Sequence, residues 1–158
     1  MSALTLSATR PRGNISVVKD IDNSQRILAD LKELMETSAS IGVIGKDDSD
    51  LLLIANVHEF GAPKAGIPER SYIRAGYDKN VDKYIKKAEG YLQEVLDGKI
   101  EARSLYTKLG QTMAQDIQKH IKGSIPPPLK KATVKRKGSS LPLVDTGRLL
   151  GSIGYEVK

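Results

Sequence analysis

Residues 78–121 read DKNVDKYIKKAEGYLQEVLDGKIEARSLYTKLGQTMAQDIQKHI, and their apolar side chains recur at helical spacing. In residues 78–96 the apolar positions lie three or four apart, and charged residues fill the opposite side, as in an amphipathic helix. Across residues 100–121 large apolar residues recur at every fourth position: Leu105, Leu109, Met113, Ile117 and Ile121. Because only Asp97 and Gly98 interrupt the pattern, we predict two long helices that form a hairpin.

Two segments nearer the amino terminus predict a helix followed by a strand. Residues 24–36 place five apolar side chains on one helical face: Ile27, Leu28, Leu31, Leu34 and Met35. Residues 40–45, SIGVIG, have the composition of a short buried strand. The β-branched run ISVVK at residues 15–19 is a candidate for an earlier strand.

Residues 51–60 are rich in apolar side chains, and periodicity alone fits either a helix or a strand. We favour a helix that is capped by Ser49 or Asp50 and ended by Gly61. Residues 72–75, in contrast, are predicted to form a strand.

The carboxyl-terminal third contains a basic segment. Residues 119–148 hold eight basic residues and one acid, a net charge of +7 in a chain whose total is +6. Within it, residues 123–143 are rich in proline, glycine and serine, so we predict an extended basic loop that its own subunit leaves unpacked. After the loop, Thr146 is expected to cap a short helix through Leu150, and residues 152–157 alternate as a strand does.

These elements predict an α+β fold, with a small mixed or antiparallel sheet packed against amphipathic helices. A chain of 158 residues with 39% hydrophobic residues suffices for one domain. We therefore assign residues 1–13 to a flexible leader and residues 14–158 to a single domain. The chain has no cysteine, which excludes disulfides and thiol catalysis, and its longest apolar run, residues 51–55, is far too short to span a membrane.

Two motifs resemble catalytic or metal-binding sequences, and each lacks a required part. Asp145-Thr146-Gly147 matches the triplet of half-size aspartic proteases, but only thirteen residues follow Asp145, so a helix cap is favoured over a hydrolase. His58-Glu59 begins the zinc-protease pattern, but Ala62 stands where the second histidine is needed. We predict no catalytic residue, no cofactor and no metal site.

Two groups of residues, taken in order, resemble a known family. The first is ANVHEFG at 55–61 followed by IPERSYIR at 67–74. The second is PPL at 127–129, TVKRKG at 133–138 and LPLVDTGRLLGSI at 141–153. In this order and spacing they resemble the tail-completion, or neck, proteins of long-tailed bacteriophages, also called virion morphogenesis proteins. The family commonly has Pro-x-Arg-Pro-Phe where this chain has PERSY at 68–72.

The resemblance implies a non-enzymatic virion protein at the head–tail junction, assembled in the host cytoplasm as a homo-oligomeric ring. Its implied partners are further copies of itself, the adjacent head-completion or connector proteins, and tail terminator or tail-tube proteins, with possible transient contact to passing double-stranded DNA. The residues expected to serve assembly are His58, Glu59, Phe60, Gly61, Pro68, Arg70, Tyr72, Lys130, Lys135, Arg136, Lys137, Asp145, Thr146, Gly147, Arg148 and Leu149.

The alternative hypothesis is a basic nucleic-acid-binding protein. It rests on the charge of residues 119–148, since a cluster of lysine and arginine attracts phosphate backbones. No aromatic side chain interrupts that run, which argues against stacking on single strands.

Overall fold

The computed structural model describes residues 22–44, 48–123, 125–138, 140–143 and 147–158. The predicted leader, the candidate strand at 15–19, and the residues Asp145 and Thr146 lie outside these ranges.

The described chain is mostly helical, with one small antiparallel sheet. In chain order its elements are α1 (Ser24–Glu36), β1 (Ala39–Val43), α2 (Ser49–Phe60), a 3-10 helix (Pro63–Ala65), α3 (Arg74–Asp78), α4 (Val81–Leu96), α5 (Ala102–Lys122), α6 (Lys131–Lys137), α7 (Arg148–Ser152) and β2 (Ile153–Val157). The predicted α+β class is confirmed.

Helices α4 and α5 form the predicted hairpin. Lys83 near the start of α4 pairs with Asp116 near the end of α5, and Lys108 Nζ lies 2.9 Å from Glu94 Oε2. Early residues of one helix thus meet late residues of the other, as antiparallel packing requires. Between the helices, Val95 is completely buried.

The sheet consists of β1 and β2, with Ile41 opposite Tyr155. Two strands alone are only marginally stable, so the sheet depends on α5, which lies along β2. Gln118 Nε2 of α5 donates to Ile153 O at 2.9 Å. A Cβ at Gly110 would lie 2.7 Å from Tyr155 Cδ2, so glycine permits the close approach of α5 to the sheet.

The main core joins α2, α5, α7 and β2. Tyr72 and Ile121 are fully buried in it. The other buried members are Leu51, Ala55, Ala114, Ile117, Ile125, Leu143, Leu149 and Ile153. Because Ile125 and Leu143 belong to this core, both ends of the predicted loop at 123–143 are tied to it.

Several predicted boundaries are wrong. The cap of α2 is Asp48, whose Oδ1 accepts a hydrogen bond from Leu51 N, and not Ser49 or Asp50. The strand predicted at 72–75 does not form, because the backbone N–H groups of Tyr72 and Ile73 donate to Glu59 Oε2 and helix α3 begins at Arg74. Helix α4 begins at Val81 and not at Asp78, because Asp78 belongs to α3 and Lys79 and Asn80 form a turn.

The prediction of an unpacked loop at 123–143 also needs correction. Residues 131–137 form helix α6, which ends at Gly138 in the left-handed conformation. Ile125 and Leu143 supply apolar anchors that a reading of overall composition overlooks. The following helix, α7, begins at Arg148, after Gly147.

Candidate functional site

Glu59, at the last turn of α2, is the organising residue of the site. Its side chain is buried, and its two oxygens accept five hydrogen bonds. Oε2 accepts from the backbone N–H groups of Tyr72 and Ile73 at 2.8 and 2.9 Å. Oε1 accepts from Ser71 Oγ at 2.8 Å and from Arg74 N and Nε at 3.1 and 3.0 Å. We call this set of contacts the Glu59 clamp.

The turn after α2 explains why a distant segment meets Glu59. Gly61 ends the helix with φ +75°, a backbone conformation that residues with a side chain rarely adopt. The chain then doubles back, with Ala62 and Ile67 forming an isolated antiparallel bridge. As a result Arg70 N donates to His58 O at 2.8 Å, and the residues after Arg70 reach the clamp.

Arg74 closes the clamp from the solvent side. Its Nη2 donates to Glu59 O at 2.9 Å and to Glu69 Oε1 at 2.8 Å. The guanidinium carbon lies 4.8 Å from the centre of the Phe60 ring, a cation–π distance. Phe60 itself is 60% exposed, whereas Tyr72 is completely buried and attaches the turn after α2 to the core.

The clamp holds Glu59 ionised. Burial by itself raises the pKa of Glu59, but the hydrogen bonds from Ile73, Ser71, Arg74 and Tyr72 together outweigh burial and hold the pKa below its usual range. Both oxygens are fully occupied by donors, so this carboxylate is placed to organise backbone and not to exchange protons with a substrate.

Arg70 connects the clamp region to the basic segment. Its side chain is buried, and its Nε donates to Pro127 O at 2.9 Å. Burial lowers the pKa of Arg70, although an arginine keeps its charge at any physiological pH. The two groups of residues that carry the family resemblance are therefore in direct contact.

A groove of about 450 Å³ lies between α2, α6 and α7. Its walls are mostly apolar, and basic side chains stand among them. The lining consists of Leu51, Ile54, His58, Leu129, Thr133, Lys137, Pro142, Leu143, Gly147, Arg148 and Leu149. We call this feature the α2–α7 groove.

The basic residues predicted for assembly divide into two groups. Lys137 and Arg148 line the groove and are engaged: Lys137 Nζ donates to Leu141 O and Pro142 O at 2.8 and 3.0 Å, and Arg148 pairs with Asp48. Lys130, Lys135 and Arg136 are exposed on or beside α6. The latter group is not brought to the Glu59 clamp.

Three of the other predicted assembly residues lie in or beside the groove, and one lies in the turn after α2. His58 and Leu149 line the groove, and Gly147 precedes α7 beside it. Pro68 is exposed in the turn before the clamp. Arg74 was not predicted as a site residue from the sequence. The feature that could have indicated it is its position four residues after Arg70, which brings it within reach of Glu59 once the turn is formed.

His58 contributes a buried nitrogen to the groove. Its Nδ1 has no hydrogen-bond partner among the described residues. Burial lowers the pKa of His58, and the nearby positive charges of Arg70 and Lys137 lower it further. Burial also lowers the pKa of His120, with Lys79 acting in the same direction and Glu59 against it.

These shifts predict a stability that depends on pH. An unfolded histidine titrates at about 6.5, whereas the folded histidines stay neutral to lower pH, so the unfolded state binds more protons. The free energy of unfolding should therefore fall as the pH is lowered from about 7.5 to 5. In His58→Gln the free energy of unfolding should depend less steeply on pH. Urea titrations at several pH values measure both. An equal slope in wild type and variant would contradict the assignment to His58.

Neither similarity to known proteins nor a cluster of metal ligands indicates what the site binds. Comparison with protein families, with curated proteins and with solved structures finds no match. Within the described ranges, no group of three His, Asp or Glu side chains lies close enough together to hold a metal ion. In the same ranges no helix has both the length and the apolar character needed to cross a bilayer.

Proposed function

We propose that this protein is a non-enzymatic structural component of a phage virion, located in the neck at the head–tail junction, where it assembles as a homo-oligomeric ring. The observation that carries the proposal is the meeting of the two groups of residues that resemble neck proteins. They are far apart in sequence, yet Arg70 binds Pro127, and His58 and Leu149 line the same groove.

The surface of the single chain supports assembly with further copies. Ten large apolar side chains are exposed among the described residues: Leu28, Leu31, Met35, Ile44, Leu53, Ile54, Phe60, Tyr77, Ile85 and Leu92. Helix α1 has no buried residue although its apolar side chains form one face. Exposed apolar surface of this kind is typical of proteins that bury it against a partner.

The proposed ring would contact other virion proteins above and below. These partners are the adjacent head-completion or connector proteins and the tail terminator or tail-tube proteins, and the ring would be assembled in the host cytoplasm before it is incorporated. A ring of identical subunits forms when two different surfaces of each copy pair and the rotation closes. The proposal therefore requires two complementary surfaces on one chain.

The experiment is deletion of the gene from the phage genome with complementation from a plasmid. We expect separate heads and tails to accumulate without the gene, joined particles to return with it, and mass spectrometry to find the chain in purified joined particles. Particles that join normally without the chain, or that never contain it, would overturn the proposal.

One observation favours nucleic-acid binding as the second candidate. Residues 125–143 carry five basic residues and no acid, and most of them are exposed on α6. If the chain is absent from particles but binds duplex DNA with an affinity that falls steeply with salt, this candidate replaces the ring.

A further inference from the structure

The α2–α7 groove has an apolar wall and a basic border. Ile54 of α2 is 44% exposed where it lines the groove. Thr133 and Lys137 of α6 line the other side, and their helical face continues to Lys130 and Arg136. An occupant that fits this groove is a helix with apolar side chains on one face and acidic residues beside them.

Helix α4 carries such a face on its outer side. Ile85 is 52% exposed and Leu92 is 37% exposed, and they lie two turns apart on one line. Asp82 and Glu89 are exposed beside that line, about 60° and 40° around the helix from Ile85. Among the described residues neither carboxylate has an ion-pair partner.

The two surfaces face opposite ways on the molecule. Helix α5 contacts β2 through Gly110 and Gln118, whereas its Lys108 and Asp116 bind α4 from the other side of the same helix. Because α7 contacts the sheet and α2, the groove belongs to the sheet side of α5. A chain therefore cannot place α4 in its own groove, but it can place α4 in the groove of another copy.

We propose that the outer face of α4 from one copy occupies the α2–α7 groove of the next copy. This inference rests on the proposed ring and names its two surfaces. Asp82 and Glu89 stand about 10.5 Å apart along α4, close to the separation of about 9 Å between Lys130 and Arg136 along α6, so both acids meet a base. Pairing of two different surfaces is heterologous, the arrangement that closes into rings.

Charge distinguishes α4 from the other exposed helix. Leu28 and Met35 of α1 are 66% and 88% exposed, more than the apolar residues of α4. Lys32, however, lies about 40° from Leu28 around α1, so this helix would bring a base toward the basic border of the groove. Glu36, the acid closest to that face, is already near Lys32.

Cross-linking tests the contact directly, because the chain has no cysteine of its own. The double variant Ile54→Cys with Ile85→Cys, treated with a short bismaleimide, should give a ladder of dimers, trimers and larger species. Either single variant should give no ladder. The matched control is Ile54→Cys with Leu28→Cys, which presents α1 instead and should give at least about fivefold less product. The substituted side chains are exposed, so each variant should fold, and thermal unfolding checks this.

A charge exchange tests the specificity of the contact. Glu89→Lys or Arg136→Glu alone, in the double-cysteine background, should reduce the ladder at least about fivefold, because like charges then face each other. The two changes together should restore it to within about twofold. A ladder from the Leu28 pair only, dimers from Ile54→Cys alone, or no cross-linked product at the highest soluble concentration would each overturn the inference.

Failure of this inference is distinguishable from failure of the proposed function. If the chain is present in joined particles but the Ile54 and Ile85 positions do not cross-link, the ring stands and its contact surfaces lie elsewhere. If the chain is absent from particles, the proposed function is overturned whatever the cross-linking shows.

Discussion

Glu59→Gln is expected to lower the free energy of unfolding by about 2 to 6 kcal/mol, because at least two donors in and around the core lose their acceptor, at about 1–3 kcal/mol each. The amide has nearly the shape of the carboxylate, but its nitrogen is a donor. All five groups that bind Glu59 are donors too, so the amide nitrogen must face at least two N–H or O–H groups that point at it. Urea unfolding of the wild type and the variant measures the change, provided that the free energy of unfolding depends on urea concentration with the same slope in both.

Glu69→Gln is the matched control. It makes the same chemical change in the other carboxylate that binds Arg74, at 2.8 Å from Nη2, but both side chains of that pair are 53% exposed. Exposed ion pairs contribute little, so we expect a loss below about 1 kcal/mol. Equal losses in the two variants would show that the clamp owes nothing to burial of Glu59.

The clamp is linked to the segment that lines the groove through the neighbouring residue Arg70. Glu59 orders residues 71–74, and the adjacent Arg70 then reaches Pro127 at the start of the basic segment. Pro142 and Leu143 line the groove at the other end of that segment. If α4 occupies the groove as proposed, loss of the clamp should therefore reduce the cross-linked ladder even where the helical hairpin survives.

The sequence predicts the elements that depend on local patterns. The hairpin of α4 and α5 was predictable because apolar spacing over residues 78–121 reports directly on helical faces. Helix α1 was predicted with the same bounds, 24–36, for the same reason. The end of α2 at Gly61 was predicted as well, because glycine after an apolar run commonly ends a helix, but its backbone at φ +75° and ψ 170° is not the left-handed helical conformation.

The features that sequence reasoning missed depend on contacts between distant residues. A strand was predicted at 72–75, yet the backbone N–H groups of Tyr72 and Ile73 bind Glu59 and not another strand. The basic segment was expected to be unpacked because its composition is polar, but the burial of Ile125 and Leu143 depends on the core that α2 and α5 create. Neither the hydrogen bonds to Glu59 nor the burial of Ile125 and Leu143 can be predicted from the neighbouring residues in the sequence.

Gly61→Ala is expected to lower the free energy of unfolding by at least about 2 kcal/mol, because backbone strain of about 1–3 kcal/mol adds to the cost of a steric clash. Gly61 has φ +75° and ψ 170°, a region essentially restricted to glycine. A Cβ at this position would also lie 2.8 Å from Glu69 N, and backbone cannot move aside as a flexible side chain can. Urea unfolding gives the free-energy change.

Gly66→Ala is the matched control, because Gly66 lies in the same turn and also has a positive φ but lacks the steric contact. Its φ is +65° in the left-handed region, but a Cβ added there would meet no described atom within 4 Å, so only the conformational cost of about 1–2 kcal/mol applies. The excess loss in Gly61→Ala then measures the contact with Glu69 together with the greater conformational cost of the Gly61 backbone. Because that contact sets where residues 70–74 meet Glu59, the Gly61 variant should also disturb the clamp. If both alanine variants lose the same free energy, the turn adjusts without strain, and the close approach at Gly61 does not position the clamp.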